Sequence, residues 1–244
     1  MVETPNQLKP KTSRIISTVL SPAVQLWLRS QVEQVEALQF QIVGGDRQIL
    51  KGHIPSVSVA ASRAIYQGLH LSQIELEGSD IRVNLGQAIK GKPLRLLQPV
   101  PVEGQLLLRE SDLQASLKSP LLSTALNDLL DTFLKTNGIT TLADKFQAGN
   151  LTWQTVEIET NQVTIFGTLS HVDLGTTSVV IRAGLQLVTP QKLQLNPLQI
   201  QIHSDTVPLN LEDFQIDLGS EVDLQELTLT PGQIACRGRL KVIP

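Results

Sequence analysis

Apolar and polar residues change rhythm three times along this chain. Val24, Trp27, Leu28, Gln31 and Val35 recur at helical spacing, and Ser21-Pro22 reads as an N-cap followed by proline at the first helical position, which predicts a helix over 22–37. From Leu38 the period becomes two, with Leu38, Phe40 and Ile42 alternating with polar residues. The alternation predicts strands near 47–51, 54–61, 70–77 and 80–86, and a last one from Val100 to Arg109, with Gly44-Gly45-Asp46 and Lys90-Gly91-Lys92-Pro93 as turns. Glu110-Ser111-Asp112 caps a short helix to about Leu117. Ser119-Pro120 opens a longer helix over 120–136, with Leu122, Leu126, Leu129, Leu130, Phe133 and Leu134 on a broad stripe and Asn137-Gly138 as its stop. Strands return near 151–159, 162–170, 177–188, 192–203, 208–218, 222–230 and 233–243. Residues 1–13, polar with Pro5 and Pro10, form a loose tail, and 14–244 reads as one domain: helix 22–37, strands 38–109, helices 110–137, strands 150–243.

One unit is written three times. Ile74/Leu76 then Ile81/Val83, Val156/Ile158 then Val163/Ile165, and Leu227/Leu229 then Ile234/Cys236 share one spacing, with turns at Gly78, Asn161 and Gly232 and closing glycines at Gly86, Gly167 and Gly238. Internal duplication and a meander of equal strands both produce this pattern.

About a dozen strands share two substantial helices. A flat sheet of that width leaves much of its apolar face bare, so the expectation is an α+β fold in which a long, strongly curled antiparallel sheet wraps the Leu-rich helices. Aromatics are only 3% of the chain, so an aliphatic core leaves room for an apolar groove or tube.

Composition narrows the chemistry. The net charge of -3, with no basic stripe among aromatics, gives no sign of nucleic-acid binding. The one cysteine, Cys236, excludes an internal disulfide and reads as a buried thiol. His53, His70, His171 and His203 lack ligand spacing, no Gly-x-Ser-x-Gly elbow or His-Glu-x-x-His is present, and the acidic run Asp213, Asp217, Glu221, Asp223, Glu226 fits solvated strand positions; no metal, cofactor or catalytic group is expected. Lys9, Lys11 and Arg14 precede IISTVLSPAVQLWL, but Pro22 interrupts the run and no small-x-small site follows. The stretch therefore reads as a mature helix, with an uncleaved anchor or export signal as the alternative.

Four segments carry a resemblance: SPAVQLWLRSQVEQVEALQ, GGDRQILKGHIPSVSVAASRAIYQGLHLSQIELEGSDIRVNL, PVPVEGQLLLRESDLQASLKSPLL and LTLTPGQIACRGRLKV. Together they resemble the LmeA-like phospholipid-binding family. The resemblance implies a tubular-lipid-binding architecture, phospholipid binding and a role in membrane maintenance; it transfers no headgroup residues. The expectation is a non-enzymatic lipid binder, cytoplasmic or peripheral to a membrane with export left open. Leu106, Leu108, Leu126, Leu129, Leu130 and Phe133 line its acyl site, and Trp27, Lys90, Lys92 and Arg95 meet headgroups or the bilayer. Its partners are lipid and the membrane surface. The alternative is a structural or protein-interaction module whose sheet is fully packed by its own helices.

Overall fold

The computed structural model describes residues 20–244 apart from 137, 140–142, 145, 147–148, 172–174, 203–208 and 212–213. The expected tail at 1–13, the stop residue at 137 and the histidine at 203 lie outside the described residues.

The first helix, α1 (Ser21–Ser30), stops well short of residue 37. The Ser30 hydroxyl donates to the Trp27 carbonyl at 2.7 Å, and by Gln34 the chain has entered β1 (Gln34–Val43), where Val35 pairs with Ala64. Sheet pairing outweighs a helical spacing that extended only to Val35. Ser21 is not the cap either, because Leu20 before it is already in the helical region.

The strand expected at 47–51 is a helical turn, α2 (Asp46–Leu50). Gly45 is extended, Gln48 Oε1 accepts from its N–H, and Ile49 is the single buried residue, so the local capping sets the conformation. β2 (His53–Tyr66) and β3 (Leu69–Arg82) are longer than expected and are joined by Gln67-Gly68, both at positive φ, as a two-residue hairpin favours. Gly78 is no turn: β3 runs through it, and a Cβ there would lie 3.2 Å from Ile81 Cδ1. The first of the three repeated units is therefore one continuous strand, followed by α3 (Leu85–Ala88) where strand had been expected to 86. β4 (Val100–Arg109), α4 (Glu110–Ser116) and α5 (Pro120–Thr136) fall where the pattern placed them. β5 (Asn150–Glu159), β6 (Gln162–His171), β7 (Gly175–Thr189) and β8 (Lys192–Ile202) follow. The chain ends with β9 (Leu209–Leu211), β10 (Phe214–Asp217), β11 (Val222–Thr230) and β12 (Gln233–Val242).

These strands build two antiparallel sheets, not one long one. The first has the order β1-β2-β3-β4-β12-β11. The second has the order β10-β8-β7-β6-β5, with β9 also on β8. Both orders are open-ended, so neither sheet closes on itself, and the expected strong curl around the helices is not seen, because the apolar surface is divided between two sheets, each with its own helices. The fold is α+β, but it departs from a single meander because the last hairpin returns to pair with β4.

The other two repeated units are true hairpins with matching detail. Val156 pairs with Ile165 and Ile158 with Val163; Leu227 pairs with Cys236 and Leu229 with Ile234. Each hairpin is bulged at the same place, between Trp153 and Thr155 or between Leu224 and Glu226, opposite Gly167 or Gly238. A Cβ on Gly167 would lie 2.8 Å from the Trp153 ring, and one on Gly238 would lie 2.5 Å from the Asp223 carbonyl, so only glycine fits opposite either bulge. The hairpins meet tip to tip with exchanged bonds: Asn161 N–H donates to Leu229 O at 3.3 Å, and Gly232 N–H donates to Ile158 O at 2.9 Å. A further pair matches, Leu185 N–H to Asn161 O and Glu110 N–H to Gly232 O. The two sheets thus join through a local two-fold relation, which supports duplication of this hairpin.

α4 completes the joint. Asp112 and Ser116, one turn apart, face the first sheet: Ser72 Oγ donates to Asp112, and His70 N–H donates to Ser116 Oγ at 2.8 Å. Glu110 and Gln114 face the outer edge of β5, where they accept from Ile158 N–H (2.7 Å) and Val156 N–H (2.9 Å). A helix on that edge satisfies donors that would otherwise invite another strand.

Candidate functional site

Strand alternation divides the first sheet into two faces. One face carries Gln39, Gln41, Glu75, Glu77, Glu103, Gln105, Glu226, Arg237 and Arg239, all exposed. Arg239 Nε bonds Glu103 Oε1 at 2.8 Å, and the Arg237 guanidinium beside Glu226 holds that carboxyl below its ordinary range. The other face is apolar. Reading across the strands by register, Leu38, Ala61, Ile74, Leu106, Cys236 and Leu227 form one row. Beside it run Phe40, Val59, Leu76, Gly104, Gly238 and Leu224.

Two cores cover the ends of this face. Toward the start of β2, α1, α2 and α3 pack Leu20, Val24, Ile49 and Leu85 against Ile54, Val57, Ile81, Val100 and Val102. At the far side, Leu229, with Leu227 and Ile234 beside it, joins the core that α5 forms on the second sheet. Between them Leu38, Ile74 and Leu106 pack into neither core, and every member of the Leu38–Leu227 row is only partly buried. Leu227 at the β11 end packs on the second core, so the open stretch crosses β1, β2, β3, β4 and β12, five strands at about 4.8 Å spacing or roughly 19 Å. Gly104 and Gly238 lie adjacent in register beside it, where the Leu76 side chain packs over Gly104.

At the β1–β3 end, between the end of α1 and α4, an open cavity of about 620 Å³ is lined by Arg29, Glu33, Glu36, Arg63, His70 and Asp112 among others. Glu36 pairs with Arg63 at 2.6 Å, and Glu33 accepts from Gly68 N–H. Smaller depressions of about 280 and 500 Å³ are lined mostly by residues of the polar face.

The expected lining residues fall into two groups. Leu106 and Leu108 lie on β4 and are partly buried; Leu106 is in the strip, and Leu108 pairs with Ile234. Leu126, Leu130 and Phe133 are sealed under α5, 8%, 1% and 0% exposed, against residues such as Trp153, Val156 and Ile181, with Leu129 at their margin. Lys90, Lys92 and Arg95 are exposed together on the loop after α3, where Asn84 Oδ1 accepts from Arg95 N–H (2.7 Å) and Asn84 Nδ2 donates to Pro93 O (3.0 Å). Trp27 is partly buried on α1, a separate element. The strip residues Leu38 and Ile74 were not among the expected lining residues because alternation shows that a strand has an apolar side but not which stretch of it the helices leave bare.

Burial pushes the Cys236 thiol up from its ordinary range, offset in part by a hydrogen bond with the Leu106 backbone. His53 pairs with Asp80 at 2.8 Å, Glu221 with Lys241 at 3.8 Å and Glu226 with Arg237. Among the described residues no group of three His, Cys, Asp or Glu is placed to hold a metal ion, and no helix is long and apolar enough to cross a membrane.

No curated protein and no solved structure gives a significant match to the chain. The sequence profile of one family does match, over residues 11–239, a span that includes both sheets, the strip and the helices that flank it; the chain belongs to the LmeA-like phospholipid-binding family.

Proposed function

We propose that this protein binds phospholipid without catalysis, peripheral to a membrane, with acyl chains laid along the strip Leu38–Ile74–Leu106–Leu227. The observation that supports the reading is apolar sheet surface left uncovered between two packed cores, in a member of a phospholipid-binding family. Laying about ten methylenes on that open face covers roughly half of each, and at about 0.8 kcal/mol per fully buried methylene this contributes roughly 4 kcal/mol. The hydrocarbon therefore needs few polar contacts to be held. The headgroup lies toward the cavity at the β1–β3 end, where Arg29, Arg63 and His70 can donate and Glu33, Glu36 and Asp112 can accept, a set suited to a phosphate beside an amine. Lys90, Lys92, Arg95 and Trp27 are proposed as contacts to the bilayer from which lipid is drawn.

In this reading the tail site is a groove along the open first sheet, in place of the tube that the sequence resemblance implies, and Leu106 and Leu108 belong to its wall. Leu126, Leu129, Leu130 and Phe133 serve it from behind: their core includes Leu229 and supports Leu227 and Ile234 at the end of the strip. The tight packing under α5 favours a structural role for the second sheet, so the packed-module alternative applies to that half of the molecule.

The test is uptake of a fluorescent phospholipid by delipidated protein. Saturable binding, competed by unlabelled phospholipid, is expected; delipidated, folded protein that takes up none refutes the proposal.

A further inference from the structure

The end of the first sheet where β2 begins presents a surface that the strip does not need. Ten large hydrophobic side chains are exposed among the described residues, and six of them lie here: Val43, Leu50, Ile89, Leu97, Leu240 and Ile243. Leu97 is 63% exposed, and Leu50 and Ile243 are each 57% exposed. The scaffold that presents them is fixed. Ile49 and Leu85 are 0% and 1% exposed and anchor α2 and α3, and their neighbours Leu50 and Ile89 point out. Val83 N–H donates to Gly52 O at 2.8 Å, Leu97 N–H donates to Arg82 O at 2.8 Å, and the Asn84 side chain ties down the loop between them. Val242 pairs with Val100, which brings the last strand to the same end. A rigid apolar cluster in contact with water marks an interaction site.

Charge identifies the partner. Residues 44–53 and 80–97 hold six lysines and arginines against two aspartates, while the whole chain is negative at -3. Asp80 is occupied by His53 at 2.8 Å and has Arg82 at 4.0 Å. Arg47, Lys51, Lys90, Lys92 and Arg95 are all exposed, and none has a carboxylate within 4.0 Å among the described residues. Cations around exposed leucines and isoleucines match the layering of an anionic membrane, with charge at the phosphates and hydrocarbon just beneath.

We infer that the protein docks end-on to an anionic bilayer through this tip: Leu50, Ile89 and Leu97 enter the interface, and Arg47, Lys51, Lys90, Lys92 and Arg95 bind the phosphates around them. The inference rests on the lipid-binding reading for the choice of a membrane over a protein, and on its own residues for the surface. It adds α2 and the apolar side chains to the contact and needs nothing from Trp27. Docking this way stands the strands on the membrane and sets the strip, which crosses them, parallel to the bilayer surface.

Vesicle co-sedimentation tests it, with vesicles of phosphatidylcholine alone and of phosphatidylcholine mixed with phosphatidylglycerol. The wild-type protein pellets with the mixed vesicles and stays in the supernatant with phosphatidylcholine. At about fivefold per cation, the triple change Lys90→Ala, Lys92→Ala, Arg95→Ala weakens binding roughly 100-fold. Leu50→Asp with Leu97→Asp removes the binding that survives high salt. Leu121→Asp, an exposed leucine on α5, is the control and binds as wild type. Binding of a short-chain fluorescent phospholipid presented as monomers, which needs no membrane contact, stays intact in all variants on the same preparations, which separates the tip from the strip. Wild-type protein indifferent to the mixed vesicles overturns the inference and leaves the tip to a protein partner. Tip variants that bind as tightly as wild type overturn it as well.

Discussion

Leu106→Asp puts a carboxylate in the middle of the strip, and its consequences differ sharply between the empty and the loaded protein. Leu106 is partly buried and packs into neither core, so the empty protein loses about 1 kcal/mol of apolar burial while the new carboxylate still reaches water. With an acyl chain over it, the same carboxylate is cut off from water without a partner, at a cost of several kcal/mol. Affinity for phospholipid therefore falls by a factor of about 100 to 1,000, since each 1.4 kcal/mol is tenfold. Two controls share the assay, which is titration of delipidated protein with a fluorescent phospholipid, paired with thermal melts. Gln105→Asp, the next residue but on the opposite face, leaves binding unchanged. Leu130→Ala, 1% exposed beneath α5, costs about 2 to 5 kcal/mol of stability and leaves the affinity of the folded fraction near wild type. If Leu106→Asp folds and binds phospholipid as wild type does, acyl chains do not use this strip.

Cys236 is the chain's one cysteine and sits in the strip beside Leu106, so alkylation reports occupancy; labelling is slower in loaded than in delipidated protein, and equal rates place the lipid elsewhere. Because burial raises the thiol's folded pKa above its unfolded value, its contribution to stability is complete below the ordinary thiol range and is lost as pH rises through the raised value; denaturant melts at increasing alkaline pH should show that loss, and it should vanish in Cys236→Ala. Gly167→Val and Gly238→Val both force a Cβ against the bulged partner strand, so each should lower the melting temperature by several degrees, and a neutral result at either would show that the glycine is not required by the bulge.

What the sequence made legible follows from range of interaction. α5 was readable to the residue because its Ser119 cap, its stripe and its proline are local signals; α4 was placed nearly as well, although Arg109 and not the Glu110-Ser111-Asp112 run stands at its N-cap. β4 through β8 and the two hairpins at Asn161 and Gly232 were readable because alternation and turn glycines are local too. Errors arose where local signals competed. Val35 suited both a helix and a strand, and its pairing with Ala64 decided the matter. Gly78 resembled a turn glycine, but it is small because Ile81 packs on it. The division into two sheets was illegible because it depends on β12 returning to β4 across more than 120 residues, a choice with no local signature. The candidate site was half legible for the same reason. Leu106 could be named from an apolar run, whereas its neighbours Ile74, Cys236 and Leu227 come from strands that only the register brings alongside.

The most direct measurement is native mass spectrometry of the full chain purified without detergent, followed by solvent extraction and identification of whatever is released. A phospholipid adduct on the wild-type protein, absent from Leu106→Asp, is the predicted result. Folded protein of bare polypeptide mass, with no lipid in the extract, would contradict the account at its centre.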